Sequence, residues 1–201
     1  MPRLLVATTN RGKVAEYSSL LSGLDIELVT LDQAGISQEA REDYTTFAEN
    51  ARSKAEFYAD LSGLFTLADD SGLEVDALGG EPGVRSSRYA GDNASDNDRV
   101  NFLLTKLKGV HPEQRQARFK CVIAIAAPGG YLKLVSGECE GTIALEPRGQ
   151  NGFGYDPIFY LPQYGKTIAE ITPDLKNEVS HRGRAVKKAR EVLADLLANK
   201  S

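Results

Sequence analysis

The stretch Phe119-Lys-Cys-Val-Ile-Ala-Ile-Ala-Ala127, Pro128-Gly-Gly130, Tyr131-Leu-Lys-Leu-Val135 decides how this chain folds. Two apolar runs flank a Pro-Gly-Gly turn, the strongest hairpin signal in the sequence, and a hairpin demands antiparallel pairing. Upstream the pattern differs. Leu4 to Thr8 reads as a buried strand. Val14, Tyr17, Leu21 and Leu24 then recur at helical spacing, and Ile26 to Thr30 reads as a second strand. A strand–helix–strand unit allows parallel pairing. The two halves together predict an α/β fold: a mixed sheet with helices packed on it.

Further elements follow the same logic. Thr46-Phe-Ala-Glu49 has the form of a capping box, and Phe47, Ala51, Ala55 and Tyr58 share the face of the helix it starts. Ser95 and Asp98 mark another helix start, before Val100, Leu103, Leu104 and Leu107. Ser180 can cap a last helix that buries Val186, Ala189, Leu193 and Leu196. A short strand is expected over Thr142 to Leu145. Residues 32–45 and 78–97 read as loops, the second long enough to suggest a functional one.

With 201 residues the chain is expected to form a single domain, residues 1–201, that needs neither disulfide nor metal to fold. Hydrophobic residues at 41% and charged residues at 26% are globular proportions, which excludes disordered and coiled-coil classes. The 24 Lys and Arg against 28 Asp and Glu give a net charge of −4, which argues against a nucleic-acid binder held by phosphate contacts. No apolar run is long enough to span a membrane, and the N-terminal run is too short for a signal-peptide core. Cys121 and Cys139 fit no zinc or redox spacing and read as buried reduced thiols. A cytoplasmic protein is expected.

Four stretches carry chemistry. Thr8-Thr-Asn-Arg-Gly-Lys13 follows a strand and opens a helix, so it offers free N–H groups, hydroxyls, an amide and a cation to a phosphate. It lacks the first Gly and the final Ser/Thr of a Walker motif, and a plain capped helix is the simpler reading. Asp69-Asp70-Ser71-Gly72 ends an apolar run. If strand geometry persists there, the two carboxylates point to opposite faces. One can then serve Mg²⁺ or water while the other stays structural, with Glu42 or Glu74 completing oxygen ligation; the plainer reading is a turn with an Asp cap. Gly152-Phe-Gly-Tyr-Asp156 sets two aromatics among glycines, either a platform for a nucleobase or a tight turn with core aromatics. Lys176 and Ser180-His-Arg-Gly183 bring donors to the start of the last helix, while Arg184, Lys187, Lys188 and Arg190 read as a solvated face. Only two histidines, His111 and His181, are present, so a multi-histidine metal site is unavailable. The inventory is that of a Mg²⁺-dependent nucleotide enzyme.

Taken in order, Ala7-Thr-Thr-Asn-Arg-Gly-Lys13, Thr46-Phe-Ala-Glu-Asn50, Ala68-Asp-Asp-Ser-Gly72, Pro82-Gly-Val84, Ser87-Arg-Tyr-Ala-Gly91, Gly152-Phe-Gly-Tyr-Asp156 and Ser180-His-Arg-Gly183 span nearly the whole chain. This combination resembles the non-canonical purine nucleoside triphosphate pyrophosphatases, also called inosine triphosphate pyrophosphatases. The resemblance implies an elongated, two-lobed mixed α/β fold with the nucleotide in the cleft between lobes, and a homodimer. It implies cleavage of ITP, dITP and XTP to the monophosphate plus pyrophosphate, which cleanses the nucleotide pool of deaminated purines. By position it makes Asp70 the catalytic acid–base group and, with Glu42, the Mg²⁺ site, with Mn²⁺ an alternative. It makes Thr8, Thr9, Asn10, Arg11, Gly12 and Lys13 the triphosphate segment and Ser71 a substrate contact. Phe153, Gly154, Tyr155, Asp156, Lys176, His181 and Arg182 become the nucleotide- and base-binding set. Two positions depart from the family's usual pattern: Arg85 stands where a Tyr is frequent, and Tyr44 where a Gly is common.

The implied reaction has a physical logic. Donors aimed at a base carbonyl are left unpaired by adenine's amino group, which can discriminate by ~10⁴-fold. His181, Arg182 and Lys176 are donors of that kind. A non-catalytic nucleotide-binding sensor is the alternative. It uses the same phosphate cradle but gains nothing from adjacent acids without a metal.

Overall fold

Pro128-Gly129-Gly130 turns the chain back on itself, with Gly129 and Gly130 at φ of 91° and 97°, values that favour glycine. The two strands it joins, β4 (Gln116–Ala127) and β5 (Tyr131–Ile143), run further than the apolar runs suggested. The separate strand expected over Thr142 to Leu145 is the end of β5. The computed structural model describes residues 1–198.

The other elements are β1 (Arg3–Val6), α1 (Arg11–Leu20), β2 (Glu27–Thr30), α2 (Phe47–Ser62), β3 (Phe65–Val75), α3 (Asp96–Lys106), β6 (Phe159–Leu161), β7 (Lys166–Thr167), α4 (Pro173–Val179) and α5 (His181–Ala198). They form a seven-stranded sheet of order β2-β1-β3-β4-β5-β6-β7. β1 pairs parallel with β2 and β3, whereas β6 pairs antiparallel with β5 and β7. The sheet is therefore mixed, as the hairpin and the early strand–helix–strand unit required.

The chain divides into two compact units: Met1–Asp70 with Cys121–Gly137 and the chain from Arg182 onward, and Ser71–Lys120 with Glu138–His181. In the first unit, alternation along β1 sends Leu4 and Val6 to one face and Leu5 and Ala7 to the other. Leu4 and Val6 join Tyr17 and Leu21 of α1 and Val186, Ala189 and Leu193 of α5. The opposite face packs α2 through Ala51, Ala55 and Tyr58 against Ala68, Ala124 and Ala126. These alanines let α2 lie close to the strands. In the second unit Leu73, Val75, Val100, Leu103, Phe119 and Phe159 form one core. Each large apolar side chain buried this way stabilises by roughly 1.5–3 kcal/mol.

Three local outcomes differ from the sequence reading. The acidic cluster after Ala68 is no turn, because β3 continues through it to Val75. A short helix not expected from the sequence, α4, is capped by Thr172 and ends at Ser180, and the last helix, α5, starts at His181 directly after Ser180 as expected. Lys176 thus sits on α4. Two basic residues of α5 are also more than a solvated face. Arg190 donates to the carbonyls of Leu20 and Ser22, both at 2.8 Å, closing the end of α1, and Lys188 donates to Ser136 O at 2.7 Å. No helix among the described residues is long and apolar enough to cross a membrane.

The helix starts obey the capping rules. Ser95 Oγ accepts from Asp98 N–H at 3.2 Å while the Asp98 carboxylate accepts from Ser95 N–H at 2.9 Å, a complete box. At α2 the Thr46 hydroxyl accepts from Glu49 N–H but donates to the Glu49 carboxylate. Ser95→Ala should lower stability by about 1 kcal/mol, read as a lower urea midpoint with an unchanged slope.

Candidate active site

The chemistry gathers in two clusters, one in each unit. The first is built on the end of β3. Strand alternation places Asp69 with Leu67, toward α1 and α5, and Asp70 with Ala68, toward α2. The two acids consequently have different partners, and their carboxyl pKa values move in opposite directions.

Asp69 is fully enclosed, at 1% exposure. Its Oδ2 lies 2.8 Å from Lys13 Nζ and 3.6 Å from an Arg182 nitrogen, with Cys121 Sγ at 3.8 Å. Burial alone would raise its pKa, but the cations Lys13, Arg182 and Lys54 outweigh burial and hold the carboxyl well below the usual range. The same burial pushes the Cys121 thiol up to about 12, with the Asp69 charge adding to it, so the thiol is inert. Asp69 is a permanent anion that anchors cations.

Asp70, also buried, is the opposite case. Its Oδ2 accepts a hydrogen bond, at 2.9 Å, from the Asn50 amide of α2. Burial pushes its carboxyl up to about 6, against the pull of Lys54 and Lys13. Lys54 stands beside it: its ammonium donates to the Asp69 carbonyl at 3.0 Å and meets Glu42 at 2.6 Å. Burial depresses the Lys54 pKa, yet Glu42 and the two aspartates more than reverse this. Asn50 also grips the acidic loop, accepting from Tyr44 N–H at 3.0 Å and donating to Tyr44 O at 3.3 Å.

Lys13 reaches Asp69 from the start of α1. Asn10 caps that helix by accepting from Lys13 N–H at 3.0 Å, and Thr8 Oγ1 accepts from Asn10 N–H at 3.2 Å. The first turn holds no acidic side chain, and Thr9, Asn10 and Arg11 are exposed, which leaves the positive helix end open to an anion.

The second cluster is built on the loop 149–156. Phe153 N–H donates to Asp156 Oδ2 at 3.0 Å, and Lys176 Nζ contacts the same oxygen at 2.5 Å. The Lys176 ammonium lies 4.8 Å from the centre of the Phe153 ring. Asp156 and Lys176 are both buried, an ion pair of low exposure that fixes the ring beside it. Gly152 has φ of 78°, and a Cβ there would overlap the Asp156 carboxylate, so the position admits no side chain. Asp96 accepts from Gly154 N–H at 2.7 Å, and the Tyr155 hydroxyl donates to Ser86 O at 2.9 Å. His181, buried at the head of α5, stacks on Phe119.

Residues 4–192 match the profile of the Ham1 family. The chain belongs to the Ham1 family. It is 49% identical over 191 residues to a protein of Desulforamulus reducens named dITP/XTP pyrophosphatase, covering 95% of each chain. A protein of the same name from Bacillus subtilis is 46% identical over 193 residues, 96% of this chain and 98% of that one. The solved Ham1 protein of Coxiella burnetii superposes with a TM-score of 0.88 at 43% identity, covering 97% of this chain and 100% of that one. The Staphylococcus aureus Ham1 protein follows at 0.86 and 38%, covering 96% and 98%.

Within this Ham1 chain the candidate residues divide unevenly. Lys13, Asp70 and Glu42 gather around Asp69 and Lys54. Phe153, Asp156 and Lys176 form the second group. Ser71, half-buried, follows Asp70 on β3. Tyr155 faces the core rather than solvent, so of the two loop aromatics only Phe153 is open to a ligand. Arg182 is 2% exposed and pairs with Glu16 at 2.6 Å as well as with Asp69. Asn50 and Lys54 were missed in the sequence. Asn50 closes the motif Thr46-Phe-Ala-Glu-Asn50, and Lys54 lies one helical turn further along α2, which is the signal that could have found both.

Among the described residues no group of three or more His, Cys, Asp or Glu can hold a metal unaided. Mg²⁺ takes one or two carboxylates and completes its shell with water and phosphate. Asp70, whose carboxyl pKa burial raises, is of the donor type such a cation takes.

The Asp70 shift has a measurable consequence for stability. Its folded pKa of about 6 exceeds the ordinary value near ~3.9, so ionising it opposes folding. The penalty is absent below about pH 4, grows between pH 4 and 6, and is complete above the folded pKa at about 2–3 kcal/mol. Asp70→Asn should therefore be more stable than the parent at pH 8 by about that amount and no more stable at pH 4. Urea denaturation of metal-free protein at both pH values reads it, and an equal difference at both would contradict the assignment.

Proposed function

We propose that this protein hydrolyses deaminated purine nucleoside triphosphates, ITP, dITP and XTP, to the monophosphate plus pyrophosphate. The observation that carries the reading is the split fate of two adjacent acids. Asp69 is locked to Lys13 and Arg182, while burial raises the Asp70 carboxyl pKa to about 6 with Glu42 and Lys54 at hand. A binder of polyanions has no use for the second acid; a hydrolase does. The dITP/XTP pyrophosphatases of similar sequence support the same reaction.

In this reading Glu42 and Asp70 would hold Mg²⁺, with Mn²⁺ an alternative. When bound, the ion neutralises phosphate charge and favours departure of pyrophosphate. Asp70 accepts the proton of the attacking water, a task suited to a carboxyl with a pKa near the working pH. Asn50 fixes the plane of that carboxylate. Lys13, the Thr8 to Gly12 turn and the open end of α1 hold the phosphates in line, since positioning and electrostatics dominate phosphoryl transfer. Asp69 keeps the Lys13 ammonium from wandering into solvent. Ser71 contacts the substrate beside the reacting group.

The second cluster takes the base. Phe153 offers a face for stacking, with Gly154 and Asp156 setting its turn and Tyr155 tying that turn to Ser86. Lys176 and His181 supply donors to the carbonyl at position 6. Adenine presents an amino group there and leaves those donors unsatisfied, the type of mismatch that discriminates most strongly. Arg182 serves indirectly, by holding Asp69. The biological setting that fits is removal of damaged nucleotides from the cytoplasmic pool by a homodimer.

The test is pyrophosphate release from ITP, dITP, XTP, GTP, ATP and dTTP, with Mg²⁺ and with chelator. Rapid metal-dependent cleavage of the first three, with ATP and GTP nearly untouched, is expected. Asp70→Asn should fold and lose at least about 10²-fold in kcat, the lower range for a positioned general base. Binding of ITP without any release would favour a nucleotide sensor instead.

A further inference from the structure

His181 sits on an aromatic stack that extends through the core of its unit. Its imidazole lies 4.6 Å from the Phe119 ring at an interplanar angle of 13°, a face-to-face arrangement. On the other side, Phe119 meets the Phe159 ring at 4.6 Å and 41°. Both phenylalanines are buried, Phe119 on β4 and Phe159 on β6. Behind Phe159 is Gly141 of β5. Its backbone φ does not demand glycine; space does. A Cβ there would stand 2.6 Å from the Phe159 ring and 2.6 Å from Tyr160 O. The order is thus Gly141, Phe159, Phe119, His181, each fixing the next.

An imidazole at the head of a helix has two side-chain torsions to settle, and a donor that reads a base carbonyl must be aimed before the base arrives. A stacked ring settles the plane of the imidazole without using either nitrogen. Phe119 is suited to this, because an aromatic face constrains a partner ring's orientation while leaving its edge available for hydrogen bonding.

We propose that Phe119 is the positioning residue for base selection: its ring sets the plane of His181, and the absent side chain at Gly141 lets Phe159 hold that ring in place. This rests on the base-reading role given to His181 under the proposed function. Phe119 itself touches no substrate in this assignment.

The chain has only two histidines, His111 and His181, so the imidazole carbon-bound protons give two readily assigned NMR signal sets, with His111→Gln identifying the other. In the parent protein the His181 set should be displaced upfield by the Phe119 ring current. Phe119→Leu should return it toward the ordinary position, and Phe119→Tyr should keep it displaced. In kinetics, Phe119→Leu should lower the ratio of kcat/KM for ITP over ATP by about two- to tenfold, the range expected for one aromatic pair. Inhibition by pyrophosphate, which probes only the phosphate cluster, should stay unchanged. Phe119→Tyr should retain the parent ratio. Should Phe119→Leu fail to fold, Phe119→Met keeps more of the volume and carries the same readouts. A His181 signal without upfield displacement in the parent overturns the proposal, and so does a folded ring-less variant with an unchanged ratio. If the parent itself releases no pyrophosphate from ITP, the proposed function fails, whatever the Phe119 variants show.

Discussion

Everything at the phosphate cluster depends on β3 remaining a strand through Asp69 and Asp70. Two neighbouring carboxylates in one low-dielectric pocket would repel, and one would surrender its charge. The two-residue period of a strand removes the conflict by giving each acid its own face. Asp69 meets Lys13 and Arg182 and becomes a fixed negative charge; Asp70 meets an uncharged amide and stays near its balance point. On a helix the two side chains would stand only about 100° apart rather than on opposite faces. The geometry of the backbone, rather than any unusual side chain, creates the difference in reactivity.

The second cluster solves a different problem with the same economy of parts. Lys176 is buried, and a buried ammonium needs a counter-ion; Asp156 is that partner, and the carboxylate also accepts from the Phe153 backbone. One acid thereby sets both the charge of the lysine and the turn that displays the aromatic ring. Gly152 is the condition for this arrangement, since its left-handed backbone and missing Cβ leave the carboxylate its room. The cluster is rigid for reasons of packing and charge together.

Much of this was legible in the sequence, and the exceptions share a physical cause. The Pro-Gly-Gly turn, the alternation of strand and helix and the starts of α2 and α3 are local signals, and they placed the elements correctly. Strand ends were less legible. Asp, Ser and Gly are poor strand formers, so the apolar run seemed to stop at Ala68, yet pairing within the sheet carried β3 to Val75. The start of α5 after Ser180 was legible, but the seven-residue α4 was not, because it runs into Ser180 without a loop. Tyr155 looked like half of an exposed platform, but nothing in local composition says which of two aromatics in a glycine-rich turn faces the core. The ion pairs of Arg182 were not legible either. Adjacent residues at a helix start point about 100° apart, and only the folded chain reveals that Arg182 meets Glu16 and Asp69. Asn50 stood inside a quoted motif and Lys54 one turn beyond it, but their contacts with the two aspartates emerge only once α2 is laid on the strands.

Asn50 links loop length to chemistry. Its one amide is engaged at both ends, gripping the Tyr44 peptide through its oxygen and nitrogen while the same nitrogen faces Asp70. Of the two orientations open to an amide only this one satisfies the pattern, since flipping it would set oxygen against oxygen. The acidic loop and the Asp70 carboxylate are therefore registered to each other like two gears on one shaft. Lengthening or shortening the segment between Arg41 and Thr46 would shift the Tyr44 peptide, and through Asn50 the Asp70 carboxylate with it. A loop outside the sheet thus shares one alignment with a side chain buried on β3.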